Sequence, residues 1–195
     1  MEYRARRTLF DRESVFSIES GSLVRAVNQN VAQRIALADV HRVTLAYSPL
    51  TVIERWTCSI EGHGGRIWIP SASFTGPGTA EDRRGTFRPF VETLTRACSD
   101  QPSAGSIGFV TGGAWSSYGA LALLVFLGIA AALLALGAIG TLLSGAPVSG
   151  AVWTGGPAVI TIVCARIVWR MWRRNRPGAF DPKSLPADFA SVSGT

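Results

Sequence analysis

The chain has 195 residues, a net charge of +6 and 47% hydrophobic residues. Its charges are partitioned: residues 101–165 contain no Asp, Glu, Lys, Arg or His, whereas residues 1–100 carry 13 Arg and 11 acidic side chains. That pattern excludes one uniformly solvated domain, and a basic excess lying beside an apolar stretch points away from nucleic acid and toward an anionic membrane surface.

The N-terminal MEYRARRTLFDRES has basic residues with no apolar run behind them, so no secretory signal peptide is expected. Short runs of alternating character follow: SVFSIES, SLVRAVNQ, QRIALADV, HRVTLAY, TVIERWTCSIEG and GRIWIPSASF. Gly21-Ser22, Ser48-Pro49 and the GHGG of residues 62–65 punctuate them, which predicts a mostly antiparallel sheet with close turns. Pairing Gly62 with Gly65 sets Ile60 opposite Ile67 and Cys58 opposite Ile69, with Trp56 near Ser71. Glu61 then meets Arg66 and Ser59 meets Trp68 on the other, wetter face. One helix comes next, with Thr86 as its cap, Pro89 in its first turn and a stripe of Phe87, Phe90, Val91, Leu94 and Cys98. Six or seven strands closed by one C-terminal helix make an α+β soluble domain, a small barrel or half-barrel, over residues 1–102.

Residues 103–117, rich in Gly and Ser, are expected to be a flexible linker. Residues 118–143 are uncharged and predict a transmembrane helix, because a ~30 Å bilayer core needs about 20 helical residues. Residues 144–150 then form a periplasmic loop, and residues 151–172 a second transmembrane helix. Gly155, Gly156 and Pro157 weaken that second span. Thr154 would cap a regular helix starting at Pro157, and a re-entrant segment is the competing arrangement. Gly128, Ala131, Ala132, Ala135 and Ala138 form a stripe of small side chains suited to close helix approach, by the second span or by a homodimer mate.

Arginines following the second span mark the cytoplasmic side, so both termini are expected to be cytoplasmic. Arg166, Arg170, Arg173 and Arg174 fall within one quadrant of the helix, with Trp169 and Trp172 on a different face. These six are the candidate membrane-interface and anionic-lipid residues. Residues 173–195 are a basic flank and a tail expected to be disordered by itself. Its Phe180, Leu185 and Phe189 either dock on a sheet edge, of their own domain or of a partner, or hang free.

The strand pair VFSIESGSLVRAV, the segment IALADVHRVTLAY, the pair ERWTCSI and GRIWIPS, and the helix FRPFVETLTRAC together resemble the bacterial pleckstrin-homology-like (PH-like) domains. The resemblance covers about residues 7–100. It implies an antiparallel sheet capped by one helix, a binding or assembly role near membranes, and no catalytic residues. The basic loop of the phosphoinositide-binding eukaryotic relatives has no counterpart here.

Other residues point to no chemistry. Cys58, Cys98 and Cys164 have no paired spacing, and His41 and His63 are the only histidines. No GxSxG, HExxH or phosphate loop occurs, and carboxylate pairs drawn from Asp39, Glu54, Glu61 or Glu92 are of the kind any small domain offers. Trp68, on the polar face of the expected register, is a candidate partner contact, with packing on Phe74 or the N-terminal strand as the alternative. Arg83, Arg84 and Arg88 either meet phosphate headgroups or face solvent. The expectation is a bacterial inner-membrane protein with a cytoplasmic PH-like binding or scaffold module. It would be non-enzymatic and without cofactor, with the lipid bilayer and an unidentified protein as partners. A subunit of a transport or channel assembly, an anionic-lipid headgroup module and a homo-oligomer are the alternatives.

Overall fold

The alternating runs at the start of the chain become strands. In the computed structural model, which describes residues 1–48, 55–77, 79–102, 104–112, 114–144, 148–186 and 189, β1 (Glu2–Ala5), β2 (Ser14–Glu19), β3 (Ser22–Val27) and β4 (Asn30–Ala36) form an antiparallel sheet in sequential order. Two-residue turns join the last three. Asn28 and Gln29, at φ of 52° and 67°, take the left-handed pair of angles that matches strand twist in a tight hairpin.

A second sheet holds β5 (Val40–Ser48), β6 (Arg55–Gly62) and β7 (Gly65–Pro70). The register across the GHGG turn is the expected one: Ile60↔Ile67, Cys58↔Ile69, Ser59↔Trp68 and Glu61↔Arg66. Trp56 and Ser71 exchange hydrogen bonds, each of 2.8 Å. A hairpin of β8 (Ala72–Gly76) and β9 (Thr79–Asp82) leads into α1 (Arg84–Ser99). Phe87, Phe90, Val91, Leu94 and Cys98 of α1 are buried against Tyr3, Phe16, Leu45, Ile60 and Ile69. Each such side chain contributes about 1.5–3 kcal/mol on leaving water, so this stripe is what holds the helix down.

The first turn of α1 departs from expectation. The Thr86 hydroxyl donates to the Arg83 carbonyl at 3.1 Å, so Thr86 sits inside the helix and does not cap it. Asp82 supplies the acceptor instead, taking the Arg84 N–H at 3.0 Å.

The second sheet is mixed, not antiparallel throughout. Within the segment expected to be a flexible linker, β10 (Gly108–Thr111) pairs parallel to β5, from Gly108↔Arg42 to Thr111↔Leu45. Phe109 and Val110 supply the apolar side chains for this, and Gly112, at φ 66°, turns the chain away while its N–H donates to the Leu45 carbonyl at 2.7 Å.

Residues 114–176 form a separate compact unit. It consists of α2 (Ala114–Leu143) and α3 (Val148–Arg174), which pack along one another. The two transmembrane helices expected over residues 118–143 and 151–172 are corrected here: among the described residues, no helix is long and apolar enough to cross a membrane. In α3, Gly155, Gly156 and Pro157 occupy one half and Arg166 and Arg170 the other. The transmembrane fold class falls with the spans, and so does the placement in a bacterial inner membrane with cytoplasmic termini and a periplasmic loop.

The helices also meet differently from the expected small-residue contact. Among the described residues, the half-buried side chains on α2 are Leu124, Leu127, Ala130, Ala131 and Leu134, and on α3 Thr161, Ala165, Val168, Met171, Trp172 and Arg174. These recur at three- and four-residue spacing, as in a leucine seam. Gly128, Ala132 and Ala135 of the small stripe are exposed, and the space beside Gly128 is open. Pro157 lies inside α3, where Thr161 donates its hydroxyl to the Pro157 carbonyl at 2.8 Å. Leu123, Phe126, Ile129, Leu133, Leu136, Ile162 and Val163 remain exposed, an apolar exterior of the kind that marks an interaction surface. The expected roles of Glu54, the Ser48-Pro49 turn, loop residues 145–147 and tail residues 190–195 lie outside the described residues, as do the side chains of Ala138 and Thr154.

Candidate functional site

The edge of β10 is where the chain builds a docking groove. Its outer side is covered by β11 (Gly178–Ala179), added antiparallel with Val110↔Ala179 and Thr111↔Gly178. The Phe180 N–H donates to the Phe109 carbonyl at 3.1 Å, and Thr111 Oγ1 donates to the Gly178 carbonyl at 3.2 Å. Gly178 is suited to this close approach, since a Cβ there would stand 3.3 Å from Thr111 Oγ1. Pro177 just before it has no N–H to leave unpaired.

Beyond the strand the tail lies on the core. The Phe180 and Phe109 rings meet edge to face at 5.7 Å. Asp181 organises a turn by accepting the Lys183 N–H on Oδ1 at 2.9 Å, while the Ser184 N–H bonds the Asp181 carbonyl, also at 2.9 Å. Thr95, fully buried on α1, donates its hydroxyl to the Pro182 carbonyl at 3.2 Å. Leu185 packs against the core.

Phe189 is the anchor. Only 6% exposed, its ring meets Trp56 edge to face at 5.4 Å and Phe87 at 5.7 Å. Trp56 in turn packs on Tyr47 at 5.4 Å. The walls of this pocket therefore come from β5, β6 and α1, elements whose positions the core already sets. Trp56 Nε1 is buried and has no hydrogen-bond partner among the described residues.

Of the alternatives open to Phe180, Leu185 and Phe189, docking on their own domain is the one adopted. Thr95, Trp56 and β10 were not visible as parts of a site. The signal for β10 was the short apolar run between Gly108 and Gly112, and for Trp56 its inward register, which marks any core aromatic equally well.

The other expected site residues lie elsewhere. Trp68 is half-buried on β7, with the guanidinium of Arg66 4.9 Å and that of Arg7 5.5 Å from its ring centroid. Arg66 is ion-paired with Glu61. On α3, Trp169 and Trp172 stack at 5.0 Å, and Arg176 lies 4.3 Å over Trp172. Arg166, Arg170 and Arg173 are exposed and Arg174 is half-buried. Their expected role at a membrane boundary depended on α3 spanning a bilayer, and it is not carried further. Arg83 is engaged with Glu81 and Glu13, Arg84 with Asp82 and Arg88 with Glu92.

Among the described residues, no group of three or more His, Cys, Asp or Glu side chains is gathered as a metal ion would require. The His41 and His63 rings stand 6.4 Å apart on the surface. Burial pushes the Cys98 thiol up to about 12, and burial followed by the Cys98 neighbour raises Cys58 further, so both are held neutral. No family model matches the chain, and no curated protein or solved structure matches it.

Proposed function

We propose that the unit of residues 1–113 is a non-catalytic, PH-like binding module whose ligand is an extended peptide with a trailing aromatic anchor. Strands followed by one closing helix support the first part of this reading. The single observation that carries the second is the groove occupied by the chain's own residues 178–186 and 189, which joins strand addition on β10 to a ring pocket for Phe189. Backbone pairing supplies affinity with little sequence demand, and the pocket selects a Phe-sized side chain. The C-terminal segment then acts as a resident occupant. A partner segment displaces it when that segment also offers an acceptor to Trp56 Nε1, which has no hydrogen-bond partner among the described residues.

Binding of a fluorescein-labelled peptide of residues 177–190 to the full chain tests this. Wild-type protein, its groove filled, is expected to bind the peptide about tenfold or more weakly than the Phe189→Ala variant, whose own tail has lost its anchor. Equal binding by both proteins, or none by either, would refute the groove as a peptide site.

A further inference from the structure

A different surface of the same unit carries a second site. On leaving β1, residues 6 and 7 run beside β8: the Arg6 N–H donates to Ser73 Oγ at 3.0 Å and the Phe74 N–H to the Arg6 carbonyl at 3.1 Å. That course sets the Arg7 guanidinium 5.5 Å from the Trp68 ring centroid, while the Arg55 guanidinium lies 5.6 Å from that of Phe74. By strand register, Arg55, Ser59 and Trp68 share one face of the β6–β7 pair.

Arg66 and Arg83 nearby are neutralised by Glu61, Glu81 and Glu13. Arg7 and Arg55 differ, since neither has a carboxylate within ion-pair distance among the described residues. Arg55 Nε is buried and has no acceptor among the described residues. Burial, and after it the charge of Arg7, lowers the Arg55 pKa, as expected for two cations on one patch. A guanidinium always carries its proton, so the repulsion and the unused N–H both persist until an anion arrives.

We propose that Arg7 and Arg55, with Trp68 and Phe74 as walls, form a binding site for a phosphate-bearing dianion. Two adjacent guanidiniums call for two negative charges, which a phosphate monoester supplies on one centre and a single carboxylate does not. The guanidinium fork matches phosphate oxygens bidentately. In this arrangement Trp68 is a wall of the site, held by the same cation that the ligand neutralises.

The test uses the full chain as wild type, Arg7→Gln, Arg55→Gln and, as a surface-charge control, Arg12→Gln. Calorimetric titration with inorganic phosphate and with glycerol phosphate is paired with flotation on phosphatidylcholine vesicles containing phosphatidic acid, all at physiological ionic strength. Saturable binding, weakened about tenfold or more by Arg7→Gln and by Arg55→Gln and unchanged by Arg12→Gln, is expected. Saturation by either soluble phosphate identifies a soluble phosphoester as the ligand class, and saturation by vesicles alone identifies a lipid headgroup. Absence of saturable binding in every arm, or an equal loss with Arg12→Gln, overturns the proposal. Should Arg55→Gln fail to fold, the exposed Arg7→Gln decides the matter by the same criteria.

Discussion

Replacing Phe189 by alanine removes the ring that anchors the tail. Phe189 is 6% exposed and touches two aromatic rings at 5.4 and 5.7 Å, so its truncation forfeits nearly all its burial and both ring contacts. Large-to-small changes of this kind cost about 3–5 kcal/mol in a core. The tail is an added segment that can detach instead of leaving a cavity, so the low end, about 3 kcal/mol, applies. At 1.4 kcal/mol per decade, that shifts the docked-to-open ratio about 100-fold. Hydrogen exchange reads this at the Phe180 N–H, which is bonded to the Phe109 carbonyl and exchanges only when the added strand lifts off. The expected result is about 100-fold faster exchange there, with the amides of β5 and β6 unchanged. Unchanged exchange at Phe180 would mean that the ring does not hold the strand. A uniform acceleration across β5 and β6 would mean that Phe189 is a core residue of the domain and not a docked occupant, and either result would sink the reasoning.

Two further predictions concern stability. Cys58 and Cys98 are neutral in the fold with raised pKa values, while unfolded thiols ionise near about 8.5, so the folded state binds more protons above that pH. Their contribution is complete below about pH 8.5 and is lost as pH rises toward about 12, at up to about 1.4 kcal/mol per pH unit per thiol. Urea midpoints measured across that range should fall less steeply in Cys98→Ala than in wild type. Asp82 offers the opposite sign: desolvation raises its pKa, but the hydrogen bonds from Arg84 outweigh this and hold the carboxyl below its ordinary range. Its help is present above about pH 3.9 and is lost on further acidification. Asp82→Ala should cost about 1 kcal/mol at pH 7 by thermal unfolding, as expected for losing the acceptor at a helix start, and the difference should shrink as pH falls below about 3.9.

The β6–β7 register was legible because its two strands meet across a four-residue turn, so alternation and charge pairing leave only one alignment that keeps Ile60, Ile67, Cys58 and Ile69 together. The stripe on α1 was legible for a similar local reason, a 3.6-residue period within a single element. Where local pattern was pushed to a global conclusion it failed. An uncharged run read as a bilayer span is part of a packed helical pair in which, among the described residues, no helix is long and apolar enough to cross a membrane.

Local periodicity was thus enough for the strands, their turns and the inward face of one helix, because each depends on residues within a few positions of one another. The parallel pairing of β10 with β5 joins residues more than sixty positions apart, and the anchoring of Phe189 on Trp56 joins residues farther apart still. Neither leaves a periodic trace, since a short apolar run or a single phenylalanine has the same sequence appearance whether free or docked. Arg7 and Arg55, without an ion pair among the described residues, belong to this second class. Arginine is expected at a surface, and only the folded chain decides which carboxylates come within reach and which rings lie beneath each guanidinium.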